Sequence, residues 1–350
     1  MPECDTRFLR SRFNDSRAQI NTKVNAVIAA ATTGGIVDVA KVYQGLGASV
    51  SSNPLSSNAN KSAIELWAES LPTNFVFPMM QGWTKYSGFT RARLFWWASD
   101  GIGYDRTLSP MLKVNGIYVG LDKLGHFMQQ GYSYYQLVTT QGRTLAQAKE
   151  WGHQTEYGVY GLATTGVYSL ADKNANLQGY HFYSWLAANP TTPFDIATYI
   201  NANWNEENTV CSYRADLAPY VWQNLLQGTW NGQFTIAGDP NNPLIAVRAQ
   251  FTATGGTAPT LRTTTLSGTF GYTYNSGPVH VRFNAGVQFI PFISPTLGYR
   301  GVRIDFAWRS GQNTGRGTWR SGYSENTLRG TWGWNNAYSG GGTMTLRRNP

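Results

Sequence analysis

Cysteine is nearly missing. Cys4 and Cys211 are the only two in 350 residues. They permit one bridge at most, either pinning the N-terminus or leaving two thiols, so no disulfide framework builds the fold and no Cys-x-x-Cys pair is present. Charge is scarce at 13%, yet aromatics reach 14%, which excludes a disordered chain. No apolar run approaches the roughly 20 residues of a membrane-crossing helix. The opening "MPECDTRF" is polar and unlike a signal peptide, so export would rely on a leader removed beforehand. A phosphate-cradling glycine loop, a serine nucleophile elbow and a His-Glu-x-x-His zinc motif are also missing.

Lysine is absent from the last third. From Gly228 onward there are eleven Arg, no Lys and three acids, a balance of +8 out of the total +9. Guanidinium forks bind carboxylate, phosphate and sulfate in a bidentate manner. The expected ligand-binding residues are Arg303, Arg309, Arg316 and Arg320, and the expected partner is an anionic glycan or lipid head group, with peripheral membrane contact. The alternative is a charged barrel exterior that serves solubility. Nucleic acid is not expected, because no Lys interleaves the Arg and no recognition motif is present.

The chain changes character near Gly228, so the expected class is α+β and multidomain. A mainly helical domain over 1–227 precedes a small antiparallel up-and-down barrel over 228–350. Phe13, Ile20, Val24 and Val27 recur at helical spacing. Capping boxes are expected at Ser62–Glu65, Thr144–Gln147, Ser169–Asp172 and Thr192–Asp195, the last with Pro193 opening a helix. Residues 72–118 read as irregular, with Asp100, Tyr104, Asp105 and Arg106 in a loop. After Gly228 the alternation has period two. Gly-Thr-aromatic or Gly-Thr-Met recurs at 228, 268, 317, 330 and 342, with glycine expected at corners and the aromatic starting each strand. Six to eight strands follow. The pattern resembles lipocalin- and avidin-type barrels, which implies either a cup for a small ligand or an interior filled by side chains.

The helical part carries polar residues where a core stripe should be apolar. "DKLGHFMQQGY" places Asp122 and His126 four apart. "EWGHQTEYGVYG" aligns His153, Glu156, Tyr157 and Tyr160. "SLADKNANLQGYHFY" aligns Asp172, Asn176, Gly179 and Tyr183. Bundles build metal and catalytic sites from such inward stripes. The expected metal ligands for zinc or another divalent ion are Asp122, His126, His153 and Glu156. The expected catalytic groups are His126, Glu156 and Asp172, facing one solvent-reachable spot, as in a metal-dependent or glycoside-type hydrolase. Helix capping by Asp122 and Asp172, and core histidines, are the plainer accounts of the same residues.

"DKLGHFMQQGYSYYQL" resembles the Asp-Lys-x-x-His-Phe motif of VanZ-like proteins and of small bacterial envelope proteins of the YfiM kind. "TGVYSLADKNANLQGYHFY" is similar to a segment of uncharacterised bacterial proteins. Together these cover about 60 residues. The resemblance implies functional positions at Asp122, Lys123, His126, Asp172 and Asn176, and a periplasmic or secreted setting. The chain departs from VanZ-like proteins in having no membrane-spanning runs. Two functions follow as expectations: an exported envelope protein with a hydrolase-like helical site, or a non-enzymatic secreted binding protein or toxin whose polar network is structural.

Overall fold

A computed structural model describes residues 14–50, 61–77, 85–86, 109–158, 161–163, 165–209, 211–239, 244–253, 265–274, 277–291, 299–321 and 325–348. The chain forms two compact units, one from residues 1–82 and 91–209, the other from 83–90 and 210–350. Cys4, Phe13, Asp100, Tyr104, Asp105, Arg106 and Tyr160 lie outside the described residues.

The first unit is mainly helical. Its helices are α1 (Arg17–Ala30), α2 (Val39–Leu46), α3 (Ala63–Glu69), α4 (Asp122–Gly125), α5 (Gly131–Thr139), α6 (Leu145–Tyr157) and α7 (Leu170–Ala188). A two-strand hairpin, β1 (Thr32–Thr33) with β2 (Ile36–Val37), and a three-strand sheet, β3 (Val76–Phe77), β4 (Met111–Val114) and β5 (Ile117–Gly120), complete it, with β6 (Val167–Tyr168) leading into α7. Strands β4 and β5 give order to the end of the stretch that reads as irregular. Helix α1 buries Ile20, Val24 and Ile28, so Ile28 and not Val27 closes its core stripe. Two capping boxes form as expected, at Ser62–Glu65 and Thr144–Gln147. Ser169 caps the Asp172 amide, but the Asp172 carboxylate does not reach back. Thr192–Asp195 begins no α-helix. Asp195 instead caps a single 3₁₀ turn, Ile196–Thr198, and holds Arg17.

Helices α5 and α7 meet at glycines. A Cβ on Gly131 would lie 2.4 Å from the Gly179 Cα, and one on Gly179 would lie 1.9 Å from the Phe127 carbonyl oxygen. Only glycine lets the two backbones approach this closely. The contact sets Phe127 into an aromatic core with Phe182, Phe194, Tyr199 and Trp204.

In the second unit, β7 (Ser212–Tyr213) and α8 (Ala218–Leu226) precede eight strands. These are β8 (Gly228–Phe234), β9 (Ile245–Ala253), β10 (Thr265–Tyr274), β11 (Gly277–Pro291), β12 (Tyr299–Ser310), β13 (Asn313–Ser321), β14 (Thr327–Trp334) and β15 (Gly342–Arg348). Each pairs antiparallel with the next, and β15 pairs with β8, closing an up-and-down barrel. The expected barrel and its meander order are therefore present. Strand β7 pairs with the first residue of β12, through Tyr213 and Tyr299.

The recurring triplet opens a strand, as its spacing suggests, at Gly228 and Gly342, which start β8 and β15 with φ of 104° and 147°, but it has a different role at the other three positions. Gly268, Gly317 and Gly330 stand inside strands, not at corners. Side chains alternate across a strand, so glycine and the third residue face inward and threonine faces out. A Cβ on Gly317 would lie 2.2 Å from Phe306 Cζ, and one on Gly268 would lie 2.7 Å from Phe283 Cζ. Gly268 and Gly317 make room for large rings, whereas Gly330 lets the Thr318 carbonyl come close, 1.7 Å from an added Cβ. Phe306 stacks on Trp319 at 3.9 Å, and Phe251 and Phe283 each pack 5.4 Å from Trp319. Trp230, Phe251, Phe283, Phe306 and Trp319 are all buried, so the barrel is filled by its own side chains.

Candidate functional site: a buried ion network in the helical unit

The π-helical segment His126–Gln130 links α4 to α5. This wider turn carries His126 toward α7, and π-segments recur where a side chain must be re-aimed. His126 Nδ1 lies 2.9 Å from Asn176 Oδ1, and its Nε2 lies 3.1 Å from Asp172 Oδ2. Lys123 Nζ touches three carboxylates: Asp122 Oδ2 at 2.5 Å, Asp172 Oδ1 at 2.6 Å and Glu206 Oε1 at 2.7 Å. Asn176 bonds in turn to the Tyr134 hydroxyl. Gly152 admits that ring, since a Cβ there would lie 1.8 Å from the hydroxyl. Gly125 does the same for Glu65, whose Oε2 would lie 2.2 Å from an added Cβ. The glycine of "DKLGH" is thus a seat for a carboxyl group from α3.

Protonation follows from burial and pairing. Burial opposes the charged form of His126, but the Asp172 carboxylate overrides it and raises the imidazole to about 9. Asp172 is held well below the usual carboxylate range: burial works against this, and His126 and Lys123 outweigh it. Asp122 is pushed up by burial and by Asp172 and Glu206, which together exceed the attraction of Lys123. Burial and then Asp172 raise Glu156 to about 8. Burial raises Glu65 to about 7 against its bonds from Ser62. One ammonium cannot keep every neighbouring carboxyl ionised in a dry interior, so the negative charge settles on Asp172, which faces two cations.

The structure therefore brings Asp122, His126 and Asp172 together, with Glu156 close enough to shift His126. Asp172 is not spent on capping, and Asp122 pairs with Lys123. His153 stands apart from this group. It contacts Tyr168 Oη at 2.5 Å and Lys173 Nζ at 2.8 Å, and it is pushed down by burial and by Lys173. Glu156 Oε1 accepts the Ser169 amide at 3.3 Å. Among the described residues, the candidate ligand atoms that converge are those of Asp122, His126 and Asp172, within 4.8 Å of one another; His153 and Glu156 are not in that group. The Lys123 ammonium already holds Asp122 Oδ2 and Asp172 Oδ1, so a divalent ion at these three residues would share their charge with it. The expectation of a solvent-reachable spot also meets a correction. Asp122, Lys123, His126, Glu156, Asp172, Asn176 and Glu206 are each no more than 1% exposed.

In the sequence Glu65 stands out only as the capping partner of Ser62 and Glu206 only as an acid near Cys211; nothing there joins either to this network. Glu206 sits on a 3₁₀ turn 83 residues from Lys123. The signal was a lysine set among apolar residues in "VGLDKLGHF", a cation that needs paired partners if buried.

In the barrel, Arg303, Arg309, Arg316 and Arg320 all lie on the outward side of their strands. Arg303 holds Asp305 at 2.9 Å, and Arg316 lies over the Tyr338 ring at 5.7 Å. Comparison with protein-family models, curated proteins and solved structures returns no match for this chain.

Proposed function

We propose that this is a non-catalytic binding protein of the bacterial envelope or its surroundings. The outer wall of the barrel takes an anionic glycan or lipid head group, and the helical ion network fixes the packing of its own unit. One observation carries the reading. Arg282, Arg303, Arg309, Arg316, Arg320 and Arg329 project from β11–β14, and Asp305 is the one acid on the outward side of these strands among the described residues. Arg303, Arg320 and Arg329 stand directly opposite one another on three successive strands. Like charges in that register destabilise a sheet, so a row of them is retained at a cost that an anionic partner removes.

The hydrolase reading rests on the His126–Asp172 pair. Its substrate would have to reach groups that are at most 1% exposed. Burial with dense pairing instead supports the structural role. The likeness of "DKLGHF" to envelope proteins supports the periplasmic or secreted setting.

The test is calorimetric titration of the full-length protein with dextran sulfate and with neutral dextran, at low and high salt. Binding to the sulfated polymer alone, weakening steeply as salt rises, is expected. No binding at low salt overturns the proposal.

A further inference from the structure

Resting on that reading, we propose that the hollow on the outer wall across β10, β11 and β12 is a subsite for an acidic sugar unit, with Arg282 and Arg309 sharing its carboxylate or sulfate.

The hollow is an open depression of about 540 Å³ and is lined by Ser267, Thr269, Arg282, Asn284, Ala307 and Arg309 among others. That volume falls within the range of about 300–1,000 Å³ typical of small-ligand sites. Its place follows from register. Thr269 faces Arg282, which faces Arg309; one step along, Ser267 faces Asn284, which faces Ala307. Ala307 contributes only a methyl group between longer neighbours, and that leaves the depression.

The two guanidinium groups belong to directly paired residues, both exposed. No ion pair joins either of them to a described acid. Arg309 donates only to its own turn, from Nε to the Gly311 carbonyl at 3.1 Å. Asp305 is nearby on the same face, but Arg303 at 2.9 Å and Gln288 at 3.0 Å already hold it. Two unneutralised forks side by side form a clamp for one planar or tetrahedral anion. Around that clamp stand two hydroxyls and an amide, which can both donate and accept hydrogen bonds. This is the complement of a sugar ring: one acid group set among hydroxyls.

The surroundings favour a glycan over other polyanions. Among the described residues no large aromatic ring is exposed at the hollow to stack a nucleic-acid base, since the exposed ones, Trp334 and Tyr338, lie at the β14–β15 turn. Among the described residues no large apolar side chain is exposed there to enter a lipid layer.

The experiment measures affinity of the full-length protein for oligogalacturonate (carboxylate) and for sulfated dextran oligosaccharide (sulfate). Duplex DNA and phosphatidylglycerol vesicles serve as rival polyanions. Arg282→Ala and Arg309→Ala are each expected to weaken oligosaccharide binding about tenfold, with Arg309→Lys nearly as damaging because the fork is lost. Arg347→Ala, on β15, removes the same charge and is expected to change affinity less than about twofold. Unchanged melting temperatures confirm that each variant folds. Whichever of the two oligosaccharides binds more tightly names the acid group. Equal damage from Arg347→Ala, or full binding by the double variant Arg282→Ala/Arg309→Ala, overturns the subsite while leaving wall binding intact. Tighter, hollow-dependent binding of DNA or vesicles overturns the choice of partner. Failure of every polyanion to bind sinks the broader reading as well.

Discussion

Replacing Lys123 with methionine keeps the length of the side chain and removes its charge. In the native protein the ammonium touches Asp122, Asp172 and Glu206 at 2.5–2.7 Å, with all four side chains no more than 1% exposed. Deleting one partner of a buried ion network leaves its counter-charges unpaired in a dry interior, at a cost of about 3–5 kcal/mol. The carboxyls that remain would take up protons, so the loss is expected to be largest at neutral pH and smaller near pH 5. Urea unfolding followed by circular dichroism at the helical band reads the first unit. With a slope of about 2–3 kcal/mol per molar, the midpoint should fall by about 1–2.5 M. Adding Asp172→Asn to Lys123→Met should cost less than the sum of the two single changes, because the second removes a charge stranded by the first. A loss below about 1 kcal/mol, or strict additivity, refutes the view that Lys123 neutralises this core.

Two further outcomes follow from the same geometry. Stability should decline from pH 5 to pH 9. Glu156 keeps its proton up to about 8, whereas an unfolded glutamate releases it near 4.5, so the folded state is increasingly penalised over that interval. His126, raised to about 9 from 6.5, contributes stability in full below 6.5 and loses it as pH rises through 9. The two slopes share a sign, while Asp172 acts only at the acid end; urea midpoints that stay level or rise toward pH 9 contradict the protonation scheme. Gly179→Ala should destabilise by at least about 2 kcal/mol, although alanine is the better helix former by about 1 kcal/mol, because its Cβ would meet the Phe127 carbonyl at 1.9 Å. A rise in melting temperature would show that α5 and α7 are not locked at their glycines.

The barrel was readable because alternation and repeated Gly-Thr-aromatic triplets are local. The triplet's strand-opening role held at Gly228 and Gly342, but its role at Gly268 and Gly317 was hidden, since the rings that fill the space over them come from neighbouring strands. Stripes on α6 and α7 were legible at helical spacing, and Asp172 with Asn176 do face one interior. The turn at Thr192–Asp195 misled because the same hydroxyl and carboxylate types serve short turns, and Asp195 is engaged by Arg17, 178 residues away. Long-range closure of the ion network was hidden for the same reason: Glu206 and Glu65 reach the DKLGH segment only through the fold. Register hid the arginine rows. The arginine excess marked Arg303, Arg309, Arg316 and Arg320 but not Arg282 or Arg329, which join them only across the sheet.

The most direct measurement is arginine footprinting with phenylglyoxal, read by mass spectrometry, on the full-length protein with and without dextran sulfate. Protection is expected at Arg282, Arg309, Arg320 and Arg329, with Arg248 and Arg347 still modified. Equal modification of all six in the presence of the polymer would contradict a binding surface on the barrel wall.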